Sequence, residues 1–310
     1  MDALADLQRT AALTDERGLH LRLGRFNAQR LAPAGPPGAL PHDPEQDLLV
    51  ALQHDFVERE RAQVRAQAAV APRAARAFAS WFTALREHGA GQNDELFPWL
   101  AETASLEEMR WFLAQEAAGE AGFDDLVALT QVKLPVRAKL ERARNYWDEM
   151  GRGKEAGMHG LLLERLIDHL AIAVERERTV WPALALGNLM VALASERHYT
   201  YQSLGALGVI ELTAPDRVAH IACGLARLGV PPAERAYFEI HATLDRKHAR
   251  AWIDEVLTPL VAQDPGLAPW FAEGALMRLA AGARCFAYYR EALSLSGPLA
   301  MDGRAGIDGT

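Results

Sequence analysis

Cysteine is nearly absent. Cys223 and Cys285 are the only two in 310 residues. They form no CxxC pair and no disulfide framework, which fits a reducing compartment, so a cytoplasmic location is expected. No apolar run reaches the roughly 18 residues of a membrane span, and MDALADLQRT at the start lacks the basic and apolar regions of a signal peptide. Basic charge is in deficit: 33 Lys and Arg stand against 41 Asp and Glu, a net −8. That argues against a nucleic-acid partner and against an anionic membrane surface. β-branched residues are sparse while Ala, Leu, Arg and Glu dominate, so the expected fold class is all-α. Several motifs are missing as well. Without HExxH the common zinc-hydrolase reading goes; without GxGxxG or GxxxxGK[ST] a nucleotide cofactor has no support. Without any Glu-x-x-His, the ferritin-type di-iron bundle goes too.

What is present is half hydrophobic, enough for a real core. Gly18 and Gly24 interrupt the helical pattern of the first 32 residues, and LAPAGPPGALPHDP reads as a Pro/Gly-rich connector. The expected organisation is an N-terminal helical extension with connector over 1–44, one helical domain over 45–296, and a flexible tail over 297–310. Within the domain, apolar periodicity and breakers predict helices over about 45–69, 75–87, 95–103, 105–121 (opened by a Ser105/Glu108 capping box), 135–149, 161–174, 184–197, 199–212, 215–228 and 270–295. Gly205 and Gly208 would allow tight packing.

The stretch YFEIHATLDRKHARAW, residues 237–252, carries the chemistry. It lies in a run without Pro or Gly between Pro232 and Pro259, so an unbroken helix is expected. His241, Asp245 and His248 then share one face over two turns. Their neighbours Phe238, Leu244, Trp252 and Val256 are apolar, which aims the polar face inward. Two imidazoles and a carboxylate there suit iron, manganese or zinc; the alternative is a solvated polar stripe.

Partners come from two other helices. Glu116 follows the apolar stripe of Phe112 and Leu113, which places a carboxylate inside, or at the solvent edge beside a cation; Glu120 is its rival. Glu149 and His159 flank a piece that holds Gly151, Gly153 and Gly157. Interior helical glycine costs about 1 kcal/mol against alanine, so such crowding marks a distortion or close approach. A regular helix would leave the two side chains about 15 Å apart. A kink or wide turn would bring them together; otherwise His159 is an ordinary buried histidine, and Glu155 is its rival. Three carboxylates and three imidazoles suffice for two ferrous or ferric ions, whereas a mononuclear centre needs only three of the six. Phe112 and Phe238 are expected to line the substrate pocket. Arg110, Arg144, Arg152 and Arg246 read either as surface ion pairs or as a clamp for a carboxylate.

Glu116, then NYWDEMGRG at 145–153, then His241-x3-Asp245-x2-His248 resemble the haem-oxygenase-like di-iron oxidases, or iron-containing redox enzymes. GALGVIE at 205–211 is similar to that family too, and the likeness covers about residues 95–262. It implies a haem-oxygenase-like helical bundle with Glu116, Glu149, His159, His241, Asp245 and His248 as ligands of two iron ions, and O2 as co-substrate. Decarboxylase and lyase-type members carry a histidine shortly after the first-helix glutamate, where this chain has Gly119 and Phe123. In N-oxygenase members the histidine instead lies ten residues after the second-helix glutamate, as His159 follows Glu149. The resemblance thus implies an N-oxygenase of secondary metabolism that oxidises an amine or guanidine nitrogen of a small metabolite to a hydroxylamine or nitro product. An external electron donor and a homodimer are compatible with it. The alternatives are di-iron oxidative C–C cleavage, decarboxylation or desaturation of a fatty or amino acid, and a non-enzymatic helical scaffold.

Overall fold

The computed structural model describes residues 15–33, 44–119 and 122–295. The tail, most of the connector, residues 1–14 and Glu120 lie outside them. The described residues hold no strand, only an isolated antiparallel bridge between Met150 and Met158. The helices are α1 (Glu16–Leu31), α2 (Pro44–Ala69), α3 (Ala75–His88), α4 (Leu96–Glu102), α5 (Leu106–Gly119), α6 (Phe123–Thr130), α7 (Val136–Glu149), α8 (His159–His169), α9 (Trp181–Ser195), α10 (Thr200–Arg227), α11 (Ala236–Trp252), α12 (Thr258–Gln263) and α13 (Ala268–Ala292). None of them is long and apolar enough to cross a membrane.

The bundle is built around α9, α10 and α13. α9 has no polar face and is buried continuously from Pro182 to Ala194. It packs on α1, α5, α6 and α13, while α10 packs on α4, α11 and α13. The α10–α13 contact is close because glycines face carbonyls across it. A Cβ on Gly205 would lie 2.0 Å from the Phe271 carbonyl oxygen, and one on Gly274 would lie 1.8 Å from that of Gln202. Gly208 gives way to the Trp252 indole, whose Nε1 donates to the Leu204 carbonyl at 3.1 Å. A buried ionic tie links α2 to the same pair: Arg61 donates to Glu273 at 2.9 Å and to Glu58 at 2.6 Å, and Gln202 donates to Glu273 at 3.2 Å.

Several helices differ from the sequence expectation, each for a packing reason. α1 runs unbroken through Gly18 and Gly24. Asp15 caps it by accepting from the Gly18 amide at 2.9 Å, and Gly24 sits against Arg176 and Asn188. α10 is one helix, not two, with buried Pro215 inside it. The ring removes one helical hydrogen bond, but packing on both sides keeps the chain helical. The 237–252 helix continues past Trp252 through a π turn, Ile253–Leu257, into α12. That wider turn accommodates Pro259. α8 stops at His169 rather than near Val174.

Because neither backbone at the α10–α13 crossing has slack, Gly274→Ala should destabilise the protein by about 2 kcal/mol or more, since overpacking of this kind typically costs 1–3 kcal/mol. Thermal denaturation should show a melting temperature several degrees lower; an unchanged one would refute the close contact.

Candidate metal centre

α11 presents His241, Asp245 and His248 on its buried face. Asp245 grips the His241 ring, with Nδ1 2.9 Å and 3.1 Å from its two oxygens. A proton held on Nδ1 leaves the Nε2 lone pair free. His248 is held from the other side: its Nε2 lies 3.1 Å from Asp148 Oδ2, and its Nδ1 faces Glu211 Oε2 at 3.4 Å.

Glu149 is the last residue of α7 and His159 the first of α8. Between them the chain doubles back. Gly151, Arg152 and Gly153 take φ of 59°, 55° and 80°, and Met150 pairs with Met158. A side chain at Gly151 would put Cβ 2.4 Å from the Gly157 carbonyl carbon, so glycine is required there. This turn sets His159 Nδ1 2.7 Å from Glu149 Oε2. The glycine crowding in the sequence is therefore a doubled-back turn, not a kinked helix.

α10 adds Glu211, whose Oε1 accepts from Asn145 Nδ2 at 2.7 Å. Asn145 Oδ1 in turn accepts from Arg142 at 3.3 Å, and Arg142 donates to Thr130 Oγ1 at 3.3 Å. The Arg142 guanidinium is fully buried, 3.6 Å from the Trp252 ring centre. Burial pulls its pKa down to about 9, with Glu211, Glu149 and Glu141 opposing.

The side chains converge in two groups. Glu149, His159 and His241 bring ligand atoms within 4.8 Å of one another, and so do Glu149, Glu211 and His248. Glu149 belongs to both. Two buried atoms there have no partner, Glu149 Oε1 and His241 Nε2, while His159 Nδ1 and His248 Nδ1 face carboxylate oxygens at 2.7 Å and 3.4 Å without hydrogen-bond geometry. Buried polar atoms are normally satisfied, so atoms left unpartnered or poorly aligned in one nest of imidazole and carboxylate fit a metal cation. The electrostatics agree. Burial works against the charged imidazoles, yet Asp245 together with Glu149 and Glu211 pushes His241 up to about 9. Glu211, Asp148 and Asp245 likewise push His248 up to about 10 against burial. Burial, with the charges of Glu211 and Glu149, pushes Asp245 up to about 6.

Glu116 lines the same cavity as Glu149, His159, His241 and Asp245 but joins neither group. It accepts from the Tyr289 hydroxyl at 3.0 Å, and burial pushes its pKa up. Glu155 is exposed. Phe238 lines the cavity, whereas Phe112 does not: it is fully buried, edge-on to Phe97 and Tyr289. Arg144, Arg152 and Arg246 are exposed ion-pair partners of Glu141, Asp148 and Asp216, and Arg110 is half-buried on α5. Sequence reasoning did not single out Glu211 or Asp148 as members of the centre. Both lay inside quoted motifs, but periodicity alone does not say which side of a helix meets which neighbour.

An all-α bundle that buries a histidine–carboxylate centre is the class this fold and site define. Residues 110–283 match the family model of iron-containing redox enzymes. The chain belongs to that haem-oxygenase-like family, and oxidative iron chemistry is the family's business. No curated protein matches it.

Folded-state pKa values of about 9 and 10 lie above the usual 6.5. The stabilisation from charged His241 and His248 is thus full below about pH 6.5 and lost as pH rises through 9 to 10. The metal-free protein should lose melting temperature between pH 7 and 10. Metal must displace those protons, so calorimetric titration with Zn(II) at pH 7 should give enthalpies that depend on the ionisation heat of the buffer. Buffer-independent enthalpies would rule out this proton count.

Proposed function

We propose that the centre would hold two iron ions, with Glu149 common to both ligand groups, and that the protein is an O2-dependent N-oxygenase. The observation that carries the two-metal reading is the sharing of Glu149 by both ligand groups. In this reading His159 and His241 serve one ion, and His248 and Glu211 the other. Asp245 orients His241, and Asp245 and Glu116, which line the same cavity outside the two ligand groups, would be the further carboxylates near the pair. When bound, a ferrous pair supplies the electrons that activate O2 for substrate oxidation. The chain's own part is positional. Asp245 and Asp148 hold protons on the outward nitrogens of His241 and His248, which keeps the inward lone pairs available. Arg142 and Asn145 fix the Glu211 carboxylate. Apolar residues such as Leu113, Leu186, Met190 and Phe238 line the cavity and limit water.

Two features support N-oxygenation over the lyase-type reactions. His159 enters the centre from the position ten residues after Glu149, as in N-oxygenase members. At Gly119, where lyase-type members have a histidine near by, a Cβ would already meet the Ala183 carbonyl oxygen at 3.2 Å.

Anaerobic Fe(II) titration should saturate near two ions per chain, a count set by the donor number. Glu149→Ala should abolish binding at both positions, and Glu211→Ala at one. Asn145→Ala should weaken iron binding by about 10- to 100-fold, the usual effect of removing an outer support. Small amines and guanidines offered with Fe(II) and O2 should gain oxygen at nitrogen, read by mass spectrometry. Alkene and CO2 from an acid would instead assign the C–C cleavage reading. A chain that binds no iron and consumes no O2 would end both.

A further inference from the structure

The buried face of α7 carries Arg142, Asn145 and Glu149, and its opposite face is apolar and open. Val136, Leu140 and Trp147 are 75%, 61% and 53% exposed, with exposed Ala143 between them. Their spacing of four, three and four residues makes one straight seam along about 16 Å of helix, the pattern with which a helix meets a partner. Single exposed apolar residues need no explanation, but a continuous stripe does. Trp147 closes the seam and is held in place: a Cβ on Gly153 would lie 2.8 Å from its ring.

The rim of this seam is cationic, in a chain of net charge −8. Arg137 and Arg144 flank it on one side and Lys139 on the other, while Lys133, Arg152 and Lys154 carry the charge past its two ends; all six are exposed. Glu155, Asp254 and Glu255 offset part of it, Glu255 through an ion pair with Arg137. Arg144 and Arg152 pair with Glu141 and Asp148, but those carboxylates lie beneath the surface and the guanidinium groups above it. A second copy of the chain seated on the seam would set Arg137, Lys139 and Arg144 against their own kind. The seam is also short. Obligate dimers need a larger apolar face, whereas electron-transfer encounters are small and transient. The metal centre is close behind. Glu149 follows Trp147 by two residues, and Arg152 at the rim donates to Asp148 at 2.6 Å, whose other oxygen lies 3.1 Å from His248 Nε2. Two polar contacts thus lead from the surface to a candidate ligand.

We propose that the outer face of α7 is the docking site of an acidic one-electron carrier protein of the [2Fe–2S] type, which returns the oxidised iron pair to the ferrous form. This rests on the iron reading above. Each reduced carrier gives one electron to one ferric ion and leaves with its own cluster oxidised by one electron, so two encounters restore the pair. The apolar seam fixes the carrier's position, and the cationic rim draws its acidic surface in.

The probe is a plant-type [2Fe–2S] ferredoxin with an acidic surface. Calorimetric titration of the oxidised ferredoxin into the full metal-free chain should show binding at low salt that weakens at least about tenfold in 0.5 M salt, because the attraction is between exposed charges. Leu140→Asp and Lys139→Glu should each weaken it at least about tenfold, and Arg65→Gln on α2 should leave it unchanged. Both seam positions are exposed, so these variants should keep the wild-type melting temperature. In the iron-loaded chain, stopped-flow absorbance of the ferredoxin cluster should show electron transfer that slows in the same two variants. No binding to the wild-type chain overturns the docking site, as does binding that Leu140→Asp leaves intact. A dimer that Leu140→Asp converts to a monomer would assign the seam to a second copy and also overturn it. Iron uptake and O2 consumption driven by dithionite, without ferredoxin binding, would overturn the docking site and keep the oxidase reading. Salt-sensitive binding to a chain that takes up no iron would keep the docking site and defeat the iron reading.

Discussion

Carboxylates buried inside a helical bundle need a cation, and this one constraint organises the molecule. Glu149, Glu211 and Asp245 are each almost wholly removed from water. Burial alone drives such groups toward neutrality. Here His241 and His248 are pulled into the charged form instead, because anions surround them. A protonated imidazole does for the metal-free protein what a metal ion does for the loaded one. The unpartnered His241 Nε2 and Glu149 Oε1 mark a place that a cation would fit.

Around that centre the backbone departs from regular helix where a side chain must be placed. The turn from Gly151 to Gly157 spends three residues at positive φ to return His159 to Glu149. Pro215 lies one turn beyond Glu211 within α10, where it leaves the Glu211 carbonyl without its helical donor. The π turn after Trp252 keeps the end of α11 against α10 and α7. Arg142 reaches the face of Trp252 and, through Asn145, holds Glu211. Packing and ligand geometry are thus one network, with the indole serving both.

The cavity is polar at two separate walls. One wall gathers imidazoles and carboxylates and suits a metal. The other holds Arg217, whose guanidinium lies against Phe97 and Phe286, with Glu116 and Tyr289 beside it. Between them the lining is largely apolar.

Much of this was readable in the residues. The 3.6-residue period placed His241, Asp245 and His248 on one inward face, because local geometry alone decides which side chains of a helix share a face. Composition excluded strands, and the Glu149–His159 spacing with its glycines marked a break in the right place. Three-dimensional packing decided the rest. It drew Glu211 and Asp148 into the centre, set Glu116 against Tyr289, withdrew Phe112 into the core, and brought Arg217 and Arg278 to one wall across 61 residues of chain. Periodicity tells which residues leave a helix together. Which neighbour they meet depends on how helices cross, and close contacts such as Gly205 on Phe271 and Gly274 on Gln202 set that.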